Sequence, residues 1–170
     1  MFESAKKLNE LQGKLNTENK KVVSDAIISL RNETPFKGAI GLLTDLFDRT
    51  NNLIIKDLIR NFLNDIKEPE ARNEIVTEMK KSFKHETISM LVSSCWQSGL
   101  DYSEYSVDFV NLFLDADYLT ALECFTVIEE AATKLPVSKK NELINLLENQ
   151  KREFSADKGV LFRSLITTLC

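Results

Sequence analysis

Apolar residues recur along this chain with two periods at once. Ile55, Leu58, Ile59 and Phe62 stand at i, i+3, i+4 and i+7, the spacing of one buried face of an α-helix. The same face returns 33 residues later as Ile88, Leu91, Val92 and Cys95, and again as Ala121, Cys124, Phe125 and Ile128. A preceding helix repeats in step, because Leu43, Val76 and Phe109, and also Leu46, Met79 and Leu112, are 33 apart. Further on the register slips. Leu143 to Leu147 falls about one residue late, and Leu161, Phe162 and Leu165 about four late. The first pair, Phe2–Leu15 and residues 17–31, keeps Val22, Ala26 and Leu30 but puts Asp25 and Ser29 at core positions. Such atypical end repeats suit capping, where an outer face meets water. The pattern predicts an all-α fold of about five stacked helical hairpins, roughly ten helices with almost no strand, forming an α-α superhelix in one domain over residues 1–170. An ordinary helical bundle with accidental periodicity is the competing fold.

Helix boundaries are marked by residue type. Thr17 is placed to cap the second helix, and Thr34 followed by Pro35 combines a capping hydroxyl with proline at the first helical position. Pro69 plays the same part, with Glu70 in a first turn where an acid suits the helix dipole. Ser103, Ser138 and Ser155 are further caps.

A helical pair repeated about every 33 residues resembles the HEAT/armadillo class of α-solenoids. The best match is residues 115–128, where an acidic turn (Asp115-Ala116-Asp117) precedes spaced small and branched apolar residues, as in a HEAT second helix. Residues 85–96 keep the apolar spacing without the acidic turn. HEAT repeats often place an arginine just after the turn, in a ladder with neighbouring aspartates. Leu119 occupies that slot here, so the ladder is missing or altered. The resemblance covers residues 17–169 and is HEAT-like without a named subfamily. It implies a stacked scaffold that holds something else, and it specifies fold far better than function.

Composition is that of an ordinary folded domain, with 43% hydrophobic and 28% charged residues over a length of 170. The longest span without a charged side chain, residues 87–100, has 14 residues, short of the ~18 a membrane helix needs. An acid and two lysines among the first seven residues do not suit a signal peptide, so a cytoplasmic protein is expected. Of the three cysteines, Cys95 and Cys124 fall on repeat core positions and Cys170 is the last residue, so no structural disulfide is expected.

The net charge of −4 conceals an asymmetry. Residues 85–133 hold no lysine or arginine but nine acids, so the rest of the chain carries +5. This block is either a solvated face or an acidic surface that steers a basic partner.

Catalysis has little to work with. His85 is the only histidine, and Cys-x-x-Cys, His-Glu-x-x-His and Gly-rich phosphate-loop motifs are lacking. Gly38 and Gly41, three apart, read as close packing positions rather than a phosphate cradle. No enzyme activity, metal or cofactor is expected. Some HEAT-like proteins are DNA glycosylases with a basic channel. Here the doublets Lys6-Lys7, Lys20-Lys21, Lys80-Lys81 and Lys139-Lys140 are dispersed, and the 49-residue gap in bases argues against nucleic acid.

Protein binding fits better. The only tryptophan, Trp96, and all three tyrosines lie inside the acidic block, and such rings are favoured interface anchors. Trp96 continues the core spacing of Ile88, Leu91, Val92 and Cys95 and therefore reads as buried. The expected partner surface comprises Asp101, Tyr102, Glu104, Tyr105, Asp108, Asp115, Asp117 and Tyr118, facing a Lys/Arg-bearing segment of another protein. Neither nucleic acid nor membrane is expected as a partner. Self-association, with a basic end meeting the acidic middle of another copy, is the alternative.

Overall fold

The computed structural model of the chain describes residues 2–33, 36–149 and 153–170, the side chains of Phe2 and Glu3 excepted. It is all-α. Ten α-helices stand among the described residues, with no strand: α1 Phe2–Leu15, α2 Lys20–Leu30, α3 Ala39–Arg49, α4 Leu53–Asn64, α5 Ala71–Met79, α6 His85–Ser98, α7 Ser106–Asp115, α8 Tyr118–Ala132, α9 Val137–Glu148 and α10 Ala156–Leu169. A 3₁₀ turn, Ser103–Tyr105, leads into α7. The chain divides into two compact units, Met1–Ser98 and Gly99–Cys170. The second begins at Gly99, whose φ of +70° is open to glycine at little cost and lets the chain leave α6.

In the first unit α1, α3 and α5 pack in succession, as do α2, α4 and α6, and each helix also meets its hairpin partner. In the second, α7 packs on α8 and α9, and α10 packs on α8 and α9. Leu43, Val76 and Phe109, the aligned first-helix positions, are all fully buried or nearly so. The second-helix register is less uniform. Ile59 and Val92 are buried, but Leu58, Phe62, Ile88 and Phe125 are only half-buried. In α4 the stripe instead runs through Ile55, Ile59 and Leu63. In α6 it widens to include Thr87, Met90 and Ser94, because α6 meets α3, α4 and α5 at once. Trp96 is half-buried.

Contacts also step by 33. Arg49 Nη2 donates to Asn16 Oδ1 (2.7 Å), Asn64 Nδ2 to Gln97 Oε1 (2.8 Å) and the Gly41 N–H to Glu74 Oε1 (3.1 Å). Helix starts repeat as well. Asn19 and Asn52 cap α2 and α4, each accepting two backbone N–H groups, while Thr17 and Thr50 each accept the N–H of the capping asparagine. Thr17 thus supports the cap rather than forming it, since the asparagine carbonyl two residues on reaches the first turn. Ser155 caps α10 as expected. Ser138 lies inside α9, which starts at Val137, and Ser103 opens the 3₁₀ turn. α5 begins at Ala71, with Pro69 and Glu70 in the turn before it. The start expected at Thr34–Pro35 lies outside the described residues, and α3 begins at Ala39 after Gly38.

Gly38 and Gly41 do bind an anion, though it belongs to the chain itself. Glu74 of α5 accepts the N–H groups of Gly38 (3.1 Å to each carboxylate oxygen) and Gly41, closing the N-terminus of α3 where the helix dipole favours negative charge. Gly38 has φ +96°, which L side chains rarely adopt, and a Cβ there would lie 2.9 Å from Leu8 Cδ1, so another residue would be strained and would also displace the Leu8 side chain.

Asp48 in α3 closes the start of α6 in the same manner. It accepts the Lys84 N–H (2.8 Å) and the Thr87 hydroxyl (2.7 Å), and Lys84 Nζ returns to the Asp48 carbonyl. Burial pushes the Asp48 carboxyl up, but these two donors and the Lys84 and Lys56 charges outweigh it, holding its pKa below 3.8. A depressed folded-state pKa contributes stability that is present above the unfolded value and lost as pH falls through the folded one. Asp48→Asn is therefore expected to lower stability at neutral pH and to flatten the acid limb below about pH 4. Denaturant titrations of both proteins at about pH 7 and pH 3 check this; parallel losses on acidification would remove Asp48 from the acid response.

Candidate functional site

The eight residues expected to face a partner all lie in the second unit, but they do not form one cluster. Asp101, Tyr102, Glu104, Tyr105 and Asp108 surround the start of α7, whereas Asp115, Asp117 and Tyr118 lie at its far end, roughly 15 Å away at 1.5 Å per residue.

At the near end the structure turns part of the set inward. Tyr102 is 3% exposed, its ring edge-on to Phe109 (5.8 Å, 90°) and tilted against Tyr105 (6.2 Å), so it is a core residue and not a surface anchor. Tyr102 directly precedes the turn Ser103–Tyr105, so its burial is a local effect that charge-rich flanks disguise. Tyr105 and Asp108 are half-buried, and Glu104 is exposed. Asp101 is largely structural. It accepts the Ser103 N–H (3.0 Å) and pairs with Lys134 (3.4 Å). The Ser103 N–H is the main reason its pKa lies below 3.8; burial opposes this, and the Ser103 hydroxyl and Lys134 assist.

The far end is open. Asp117 is the N-cap of α8, accepting the Thr120 N–H (2.8 Å), and Asp115 is exposed. Beside them Tyr118, Leu119 and Leu122 are 42%, 67% and 40% exposed. Tyr118 and Leu122 are one helical turn apart on the same face, so the corner between α7 and α8 presents an apolar surface edged by carboxylates. Leu119 and Leu122 are not among the residues expected to face a partner. The signal for Leu119 lies in its slot, which the HEAT resemblance assigns to an arginine and so to a surface position.

A second concavity lies wholly in the first unit, a cleft of about 760 Å³ among the end of α2, the start of α3, the end of α4 and α5. Leu30, Phe36, Ile40, Phe62 and Ile66 contribute apolar surface. The polar lining holds six acids against two bases, Arg31 and Lys37. Arg31 pairs with Asp65 (2.6 Å), and Glu78 is nearly buried with Lys81 Nζ 2.7 Å from Oε2.

Among the described residues no group of three or more His, Cys, Asp or Glu side chains is placed to hold a metal ion, and no helix is long and apolar enough to cross a membrane. No protein-family model matches the chain, and no curated protein and no solved structure matches it.

Proposed function

We propose that this chain is a non-enzymatic protein-binding scaffold, a HEAT-like α-α superhelix that presents the α7–α8 corner to a Lys/Arg-bearing segment of a cytoplasmic partner protein. The observation that carries the reading is the exposure of Tyr118, Leu119 and Leu122 directly beside Asp115 and Asp117. An apolar surface edged by carboxylates suits the aliphatic stem and charged head of lysine or arginine, and Tyr118 adds an aromatic face to the cation. The superhelix is supported by the hydrogen bonds that step by 33 residues and by the duplicated Thr-x-Asn helix start. Binding would be passive, on a preformed surface that loses little entropy. The charge supports it too, since residues 99–170 hold twelve acids against seven bases.

Affinity capture from native lysate tests this, comparing the parent with a Tyr118→Ser/Leu119→Ser variant at low and high salt. Both side chains are exposed, so the variant is expected to unfold within about 0.5 kcal/mol of the parent while recovering at least about tenfold less of a salt-sensitive partner. Equal recovery by both proteins would remove the corner from the interface. Recovery of nothing but further copies of the chain would replace the foreign partner by self-association.

A further inference from the structure

The cleft in the first unit concentrates negative charge against the grain of its surroundings. Residues 1–98 hold fifteen bases and fourteen acids, close to balance, yet the cleft lining alone has four more acids than bases. Three of its carboxylates are already engaged: Asp65 by Arg31, Glu78 by Lys81, and Glu74 by the N–H groups that open α3. The other three, Glu33, Glu68 and Glu70, make no ion pair among the described residues. Glu33 follows α2, while Glu68 and Glu70 lie in the connection between α4 and α5, so they border the cleft from two connections of the chain. Between them lies apolar surface from Leu30, Phe36, Ile40, Phe62 and Ile66. The volume is in the ~300–1,000 Å³ range of pockets that take a compact organic group.

We propose that this cleft receives one bulky apolar side chain of a partner peptide segment, with lysine or arginine on both sides of that residue. The apolar floor disfavours a ligand that is charged throughout, and the rim carboxylates, without ion pairs among the described residues, repel one that is acidic at its edges and favour one that is basic there. A segment with a central Trp, Phe or Leu and basic neighbours meets both demands, because its backbone holds the charges a few ångströms from the anchor. The anchor supplies affinity by leaving water, and the rim selects the partner by charge. The inference rests on the protein-binding reading above and adds a second contact point for a basic segment, separate in sequence from the α7–α8 corner.

The test uses the full chain and a panel of fluorescein-labelled peptides of about twelve residues, each with one central Trp or Leu between lysines, titrated by fluorescence anisotropy. Saturable binding is expected, lost when the lysines are replaced by glutamate and weakened at about 0.5 M salt. Ala71→Trp, which places a large side chain in the cleft, should weaken binding by at least about tenfold, as should Glu68→Lys/Glu70→Lys, while Tyr118→Ser/Leu119→Ser should leave it unchanged. The double charge reversal keeps the test decisive if Ala71→Trp impairs folding. Equal affinity of the parent and a folded cleft variant overturns the proposal. If the corner variant alone loses the peptide, the cleft is overturned while the protein-binding reading stands. If no peptide saturates the parent, the cleft proposal fails, and the capture experiment decides the protein-binding reading separately.

Discussion

Phe109→Ala is expected to destabilise the chain by about 3–5 kcal/mol, the range for deleting a buried phenyl ring from a packed core. Phe109 is 0% exposed, packs edge-on against Tyr102 and is the third member of the aligned set that includes Leu43 and Val76. Its loss leaves a cavity that Tyr102 cannot fill without giving up its own packing. Phe125→Ala is the control. Apolar spacing alone ranks the two phenylalanines equally, yet Phe125 is only half-buried in the structure, so a loss under about 2 kcal/mol is expected there. Denaturant unfolding of both variants checks the pair. A Phe109→Ala cost below about 1 kcal/mol would sink the first-helix register.

Lys158→Met should cost about 2–4 kcal/mol, an uncommon penalty for removing a lysine. Lys158 is 8% exposed, with its Nζ donating to the carbonyl oxygens of Leu114 (3.0 Å) and Ala116 (2.6 Å), and it stands 5.8 Å and 5.2 Å from the Phe113 and Phe154 ring centres. These carbonyls end α7, a helix with no basic residue in its last turn and with Asp115 at its final position. The ammonium therefore meets the negative end of the α7 dipole. Methionine keeps the length of the stem but leaves both carbonyls without that donor. Opposing this is the cost of holding an ammonium away from water, which in some proteins exceeds what its partners return. Two carbonyls, two rings and the helix end tip the balance toward loss. Chemical denaturation of Lys158→Met at neutral pH decides the sign, and a more stable variant would show that desolvation dominates.

The helices were legible because their apolar spacing is local. The spacing predicts a first helix over Phe2–Leu15, the bounds of α1, and roughly ten helices, the number among the described residues. Less legible were the residues whose role depends on one particular neighbour rather than on apolar spacing. Thr17 looks like a cap until Asn19, two residues on, is seen to reach the first turn of α2. Tyr102 looks exposed among acids until the 3₁₀ turn lays it on Phe109. Of the candidate surface, Asp115, Asp117 and Tyr118 stand together on an open corner, while Asp101 and Tyr102 serve the fold. The cleft left no trace in a linear charge profile. Over residues 67–81 the four acids Glu68, Glu70, Glu74 and Glu78 are balanced by Lys67, Arg72, Lys80 and Lys81, so a window of that length reads as neutral. Only folding separates the two signs.

The borrowed helix caps set an order of assembly. On the ribosome, α3 is complete before the carboxylate that closes its first turn exists: Glu74 lies 33 residues downstream of Gly41 and must be synthesised before that N–H has its acceptor. Asp48, made early, waits 36 residues for the Lys84 N–H. The start of α3 therefore stays frayed until α5 docks, whereas the start of α6 finds its acceptor already made. Nascent chains halted before residue 74 should expose the start of α3 to proteolysis, and those extended past it should protect that start.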